Sequence, residues 1–145
     1  MFKLIKITGG TSNVPEPTYV NVNGITPYVA HCAYHVYSGT VSCASSENME
    51  LRDLKFIALE TLPTNSGKKR LCGYYVTENM IFETDFHGNP SGIGAGDCLS
   101  FYVDENCEYN NSGVRDLPGN DARIIDSTNI AKTGKVLVAL QFNNC

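Results

Sequence analysis

A chain of 145 residues fits one domain and leaves room for a sizeable core. With 42% hydrophobic residues it lies in the ordinary globular range, which excludes wholesale disorder. The net charge of −4 lacks the basic footprint that phosphate binding requires and argues against nucleic acid as a partner.

Phe2 to Ile7 reads as a strand, with Phe2, Leu4 and Lys6 on one side and Lys3, Ile5 and Ile7 on the other. Apolar side chains therefore occupy both faces. The alternation also breaks the continuous apolar core of a secretory signal, and no run in the chain reaches the length of a membrane span. The chain thus reads as soluble, outside the usual secretory route and without a membrane partner. Gly9 to Pro17 is polar and carries Pro15 and Pro17, which favour an extended segment that does not pair with itself. Residues 1–18 read as an N-terminal arm in need of another surface, and 19–145 as a single β domain.

Short strands are predicted at Tyr19–Asn23, Tyr28–Tyr37 and Thr40–Cys43, separated by Gly24 and Ser38-Gly39. Residues 44–53 have the composition of one helical turn capped by Ser45 or Ser46. Leu54–Leu62 is an apolar strand stopped by Pro63, and Asn65-Ser66-Gly67 turns the chain into Leu71–Thr77. The one basic run, Lys68-Lys69-Arg70, then sits at a solvated hairpin tip. Met80, Phe82 and Thr84 share one face of the next strand, and a turn rich in glycine from Gly88 to Gly96 leads to Leu99, Phe101 and Val103. Residues 105–121 are polar and punctuated by glycine and proline, the pattern of a long loop. Strands at Ala122–Asp126 and Lys135–Phe142 close the chain. Many short strands without an amphipathic helix define an all-β fold, a compact β-barrel or β-sandwich with an extended N-terminal arm.

Six cysteines, Cys32, Cys43, Cys72, Cys98, Cys107 and Cys145, form no C-x-x-C pair. Without a secretion signal they are expected to be reduced, with Cys32, Cys72 and Cys98 packing as small hydrophobes, although the spacing leaves a disulfide open. His31 and His35 flank Cys32; on a strand the two histidines share one face and Cys32 points to the other. That arrangement supplies neither a third metal ligand nor a residue to orient a base, so no catalytic, metal or cofactor site is assigned. Asp85, His87, Asp97 and Asp104 bracket the glycine turn and read as turn-capping groups. The eight tyrosines, in a chain without tryptophan, suit either sheet packing or a partly wet interface.

Three segments together resemble one family. The opening FKLIKIT followed by NVPEP, the centre VTENMIFETDF with GDCL after it, and the closing ARIID with GKVLVALQF are similar to small capsid decoration, or cement, proteins of tailed bacteriophages. The resemblance spans most of the chain in the same order. Phe2, Leu4, Ile5 and Ile7 match the starting strand, and Val14, Pro15 and Pro17 the extended segment after it. Met80, Ile81 and Phe82 match the central strand, and Val136, Val138 and Phe142 the closing one. The six cysteines and the 105–121 loop depart from the simple pattern.

The resemblance implies a β-barrel-like protein on the outside of a phage head, made in the host cytoplasm and incorporated in the virion. It would act as a homo-oligomer, possibly a trimer, and tie subunits of the major capsid protein together without catalysis or cofactors. The residues expected to meet that partner are Phe2, Leu4, Ile5, Ile7, Val14, Pro15 and Pro17. Two other classes compete. One is a different virion component (a head-fibre base or tail-associated domain) or a host-surface carbohydrate-binding module, suggested by the 105–121 loop and the tyrosines. The other is an enzyme built on His31, Cys32 and His35.

Overall fold

In a computed structural model the chain is described at residues 1–9, 15–42, 54–103 and 110–143. It is all-β, with one short helix. The strands are β1 (Lys3–Ile7), β2 (Thr18–Asn21), β3 (Ala33–Tyr37), β4 (Thr40–Ser42), β5 (Leu54–Ala58) and β6 (Arg70–Tyr75). They continue with β7 (Met80–His87), β8 (Cys98–Val103), β9 (Asn111–Pro118), β10 (Ala122–Asp126) and β11 (Lys135–Ala139), with α1 (Ile130–Thr133) before the last.

Five strands close a mixed barrel in the order β7, β11, β10, β8, β9, and the parallel pairing of β9 with β7 completes the circle. Five of the six outer strands pair in a second cycle, β3, β4, β2, β6, β5 and back to β3. The cycles meet where Ala33 of β3 pairs with Asn111 of β9. Two apolar clusters result, the first extending from the barrel to Ala33, Ile57, Tyr74 and Val76 on the second cycle. The barrel holds Phe82, Leu99, Phe101, Val114, Ile124, Val136, Val138 and Leu140, and the second cycle holds Val20, Tyr34, Val36, Phe56 and Leu71. Alternation along β7, β8 and β11 turns every second side chain inward, so Met80, Phe82 and Thr84 meet Leu99, Phe101, Val136 and Val138. The centre expected from Met80–Thr84 and Leu99–Val103 is thus in place, with β9 between those two strands.

The N-terminal segment differs from a free arm. β1 pairs antiparallel with β7, and Phe2 is 1% exposed inside the barrel cluster. The register shifts between Leu4 and Lys6, so Ile5 is the extra residue of a β-bulge. The bulge answers the apolar character on both faces. It rephases the strand so that Leu4 and Ile7 both pack on the core, while Ile5 is extruded to 47% exposure. The surface that β1 needs is supplied by its own chain.

Three more expectations are corrected. Residues 111–118, expected within a loop, form β9, which pairs with β8, β7 and β3. Cys98 is disulfide-bonded, whereas Cys32 and Cys72 are in no disulfide; Cys98 opens β8 beside the Gly96-Asp97 turn and is only half-buried. His31 lies in a turn before β3 at φ 68°, so it does not share a strand face with His35. The expected helical turn at 44–53, along with Val14, Cys43, Asp104, Cys107 and Cys145, lies outside the described residues.

Candidate functional site

β1 runs beside a groove of about 480 Å³ lined by Met1, Phe2, Lys3, Leu4, Pro15, His31, Leu59 and Tyr74. The walls come from separate parts of the fold: β1 and the residues before it, the end of the segment leading into β2, the turn before β3, and strands β5 and β6 with their ends. Phe2 fixes the geometry. Its ring packs edge-on against Phe82 and Phe101, with centroids 6.4 and 5.5 Å away, and its N–H donates to the carbonyl of His31 at 2.8 Å. The N–H of His31 in turn donates to Ala58 at 2.8 Å. This bond pair places the His31 turn at the rim, and His is among the residues that tolerate the left-handed conformation found there. Among the described residues the lining is mainly apolar; it includes Lys3 and His31 and no carboxylate.

Of the residues expected to meet a partner, Phe2, Leu4 and Pro15 line the groove. Phe2 does so from the core, which rules it out as a free surface anchor; its ring is needed inside the barrel. Ile5 stands on the bulge, Ile7 is half-buried against the core, and Pro17 is exposed away from the lining. Leu59, Tyr74 and His31 were not expected. Leu59 is the exposed large apolar residue that follows β5, a signal that only burial in the folded chain makes visible.

A second cluster is polar and buried at the meeting of the two cycles. Lys55 of β5 is 6% exposed and reaches out of its own cycle to donate to the carbonyls of Asn120, Asp121 and Leu140, at 3.2 and 2.6 Å for the first two. Its ammonium also lies 5.0 Å from the Phe142 ring centre and 5.9 Å from that of Phe101. Burial pulls the Lys55 pKa down to about 8 against the opposing pull of Asp121. Asp121 accepts the Phe101 N–H at 2.8 Å; burial raises its pKa, with the Phe101 bond and Lys55 opposing. His35 is fully buried with Nε2 3.7 Å from Asp121, and burial, reinforced by Lys55, lowers its pKa to about 3. Asn111 donates to the Ala33 carbonyl at 2.8 Å, and the Tyr34 hydroxyl donates to Asn110. The seam joins elements and exposes almost nothing to solvent.

The remaining sequence candidates separate. His31 is at the groove rim, Cys32 is buried in the second cluster and His35 is in the seam. Among the described residues no three His, Cys, Asp or Glu side chains are grouped so as to hold a metal ion. The glycine turn is capped as its sequence suggests: Asp97 accepts the Gly94 N–H at 2.8 Å and Asn89 accepts that of Ser91 at 3.0 Å. Asp85 instead pairs with Lys135 at 2.6 Å, which helps hold its pKa below the usual carboxylate value against desolvation, the largest single influence. His87 stacks on Tyr102 at 3.6 Å. No helix among the described residues is long and apolar enough to cross a membrane.

The chain matches no known family, no curated protein and no solved structure.

Proposed function

We propose that this protein is a structural virion component that decorates and stabilises a phage capsid by bridging subunits of the major capsid protein. One observation carries the reading. Every described strand except β1 has two or more neighbours, so β1 is the open sheet edge among the described residues, and the apolar groove lies along the same segment. A decoration protein needs stability, one adhesive feature and repetition on a lattice, and contacts that are weak singly become firm when multiplied. The resemblance of the opening, central and closing segments to decoration proteins is what favours the major capsid protein as the partner.

The experiment is addition of the purified chain to shells assembled from the major capsid protein of the phage that encodes it. Saturable co-sedimentation at a fixed ratio to the shell subunit, with a higher melting temperature of the shell, is the expected result. Absence of co-sedimentation at any protein concentration would remove the proposal.

A further inference from the structure

Resting on that reading, we propose that the open edge of β1 and its groove receive an extended acidic segment of the capsid partner, added as one more strand with an apolar side chain in the groove.

Topology locates the addition. The remaining strands are closed in two cycles, and β7 covers one side of β1. At the other side the Phe2 N–H is already used by His31, so the open part begins at Leu4, whose backbone groups point the same way two residues on. Residues Leu4 to Ile7 give the added strand a short run with the bulge at Ile5 inside it.

Charge selects the chemistry. Lys3 and Lys6 are exposed on this strand, and among the described residues no carboxylate lines the groove, although the chain as a whole carries −4. A second copy adding its own β1 would gather four lysines at one seam with no acid in either strand, which opposes self-pairing. The covered side of β1 shows what it accepts: in register with Lys3 stands Glu83, and in register with Leu4 stands Phe82. A partner strand that repeats this order, an acid beside an apolar residue, would place the acid over Lys3 and the apolar side chain between Leu4, Leu59 and Tyr74. Backbone bonds then supply affinity, and the two side-chain positions supply selection.

The test has two arms, both on the full chain. In the first, binding to capsid shells is compared between the wild type and a Lys3→Glu, Lys6→Glu variant whose circular dichroism and melting temperature match it. We expect binding to weaken roughly tenfold, and wild-type binding to fall with added salt. Unchanged binding by the variant would overturn the acidic-strand assignment while leaving capsid decoration standing. In the second arm, an eight-residue peptide alternating glutamate with leucine, and its lysine counterpart, are titrated against the chain and amide exchange is followed. Slowed exchange from Leu4 to Ile7 with the acidic peptide alone is expected. Equal effects of both peptides, or none near the solubility limit, would overturn the assignment whatever the shells do. Concentration-dependent dimers that protect β1 would overturn it too, making a second copy the occupant.

Discussion

The two cycles of strands close by different means. In the barrel every seam is a ladder, including the parallel one in which Asp85, Phe86 and His87 face Gly113, Val114 and Arg115. In the second cycle the closing seam between β2 and β4 is a single parallel pair, Asn21 with Thr40. Side chains make up the difference. Phe56 fills the second cycle and packs edge-on against Tyr75 at 5.3 Å, Tyr28 does the same against Tyr34 at 5.2 Å, and Gly73 lets β6 approach β5 closely. Lys55 and Asn111 then anchor this cycle to the barrel. The barrel is held by its backbone, the second cycle by packing and by its neighbour.

The largest effect is expected from Phe2→Ala. Truncating this buried ring should cost about 4 kcal/mol, read as a shift of the urea midpoint. Because Phe2 also seats β1, exchange from Leu4 to Ile7 should quicken at the same time. A loss below about 1 kcal/mol would mean that the barrel stands without β1 and that the N-terminal segment is a detachable arm after all.

Gly73→Ala addresses the second cycle. An added Cβ would collide with the Ile57 carbonyl and the Phe56 ring, and neither can withdraw from a filled interior. We expect destabilisation of about 3 kcal/mol, the upper part of the range for overpacking. If the cycles differ as argued, exchange in β2 and β6 should rise before exchange in β7 and β11. A uniform rise across all strands would show a single cooperative unit and erase the distinction.

This asymmetry also explains what the sequence could reveal. β7, β8 and β11 carry period-two apolar patterns because one face of each lines the barrel, and they were readable. β9 was not, since its NSGVRDLP places polar and small residues where alternation would call for apolar ones. Its buried Asn111 is spent on the Ala33 carbonyl, and Gly113 is required by the nearness of the Asp85 carbonyl, so its neighbours define it. Three of the eight groove residues, Phe2, Leu4 and Pro15, were legible because they lie near one another in the chain. His31, Leu59 and Tyr74 join them only through long-range pairing. The bulge at Ile5 decides which of the two apolar faces is buried, and no local pattern announces it.

The joint between the cycles yields the smallest predicted effect. Lys55→Met keeps the length of the buried side chain but removes the donor to three carbonyls and the cation near Asp121. At pH 7 it should cost about 2 kcal/mol. The pH dependence separates this role from simple packing. With burial lowering the Lys55 pKa from 10.5 to about 8, the folded chain gives up the proton before the unfolded chain does. Unfolding therefore takes up a proton between those values, and this group makes the wild type gain stability as pH rises through that window. Contributions from groups common to both chains cancel in the difference between wild type and variant, so that difference is the quantity to measure, by urea titration at steps from pH 7 to 10.5. That difference should widen with pH, as the wild type gains and the variant does not. A constant difference would mean that Lys55 keeps its proton, held by the three carbonyls, and acts as a permanent cationic pin between the barrel and its weaker companion.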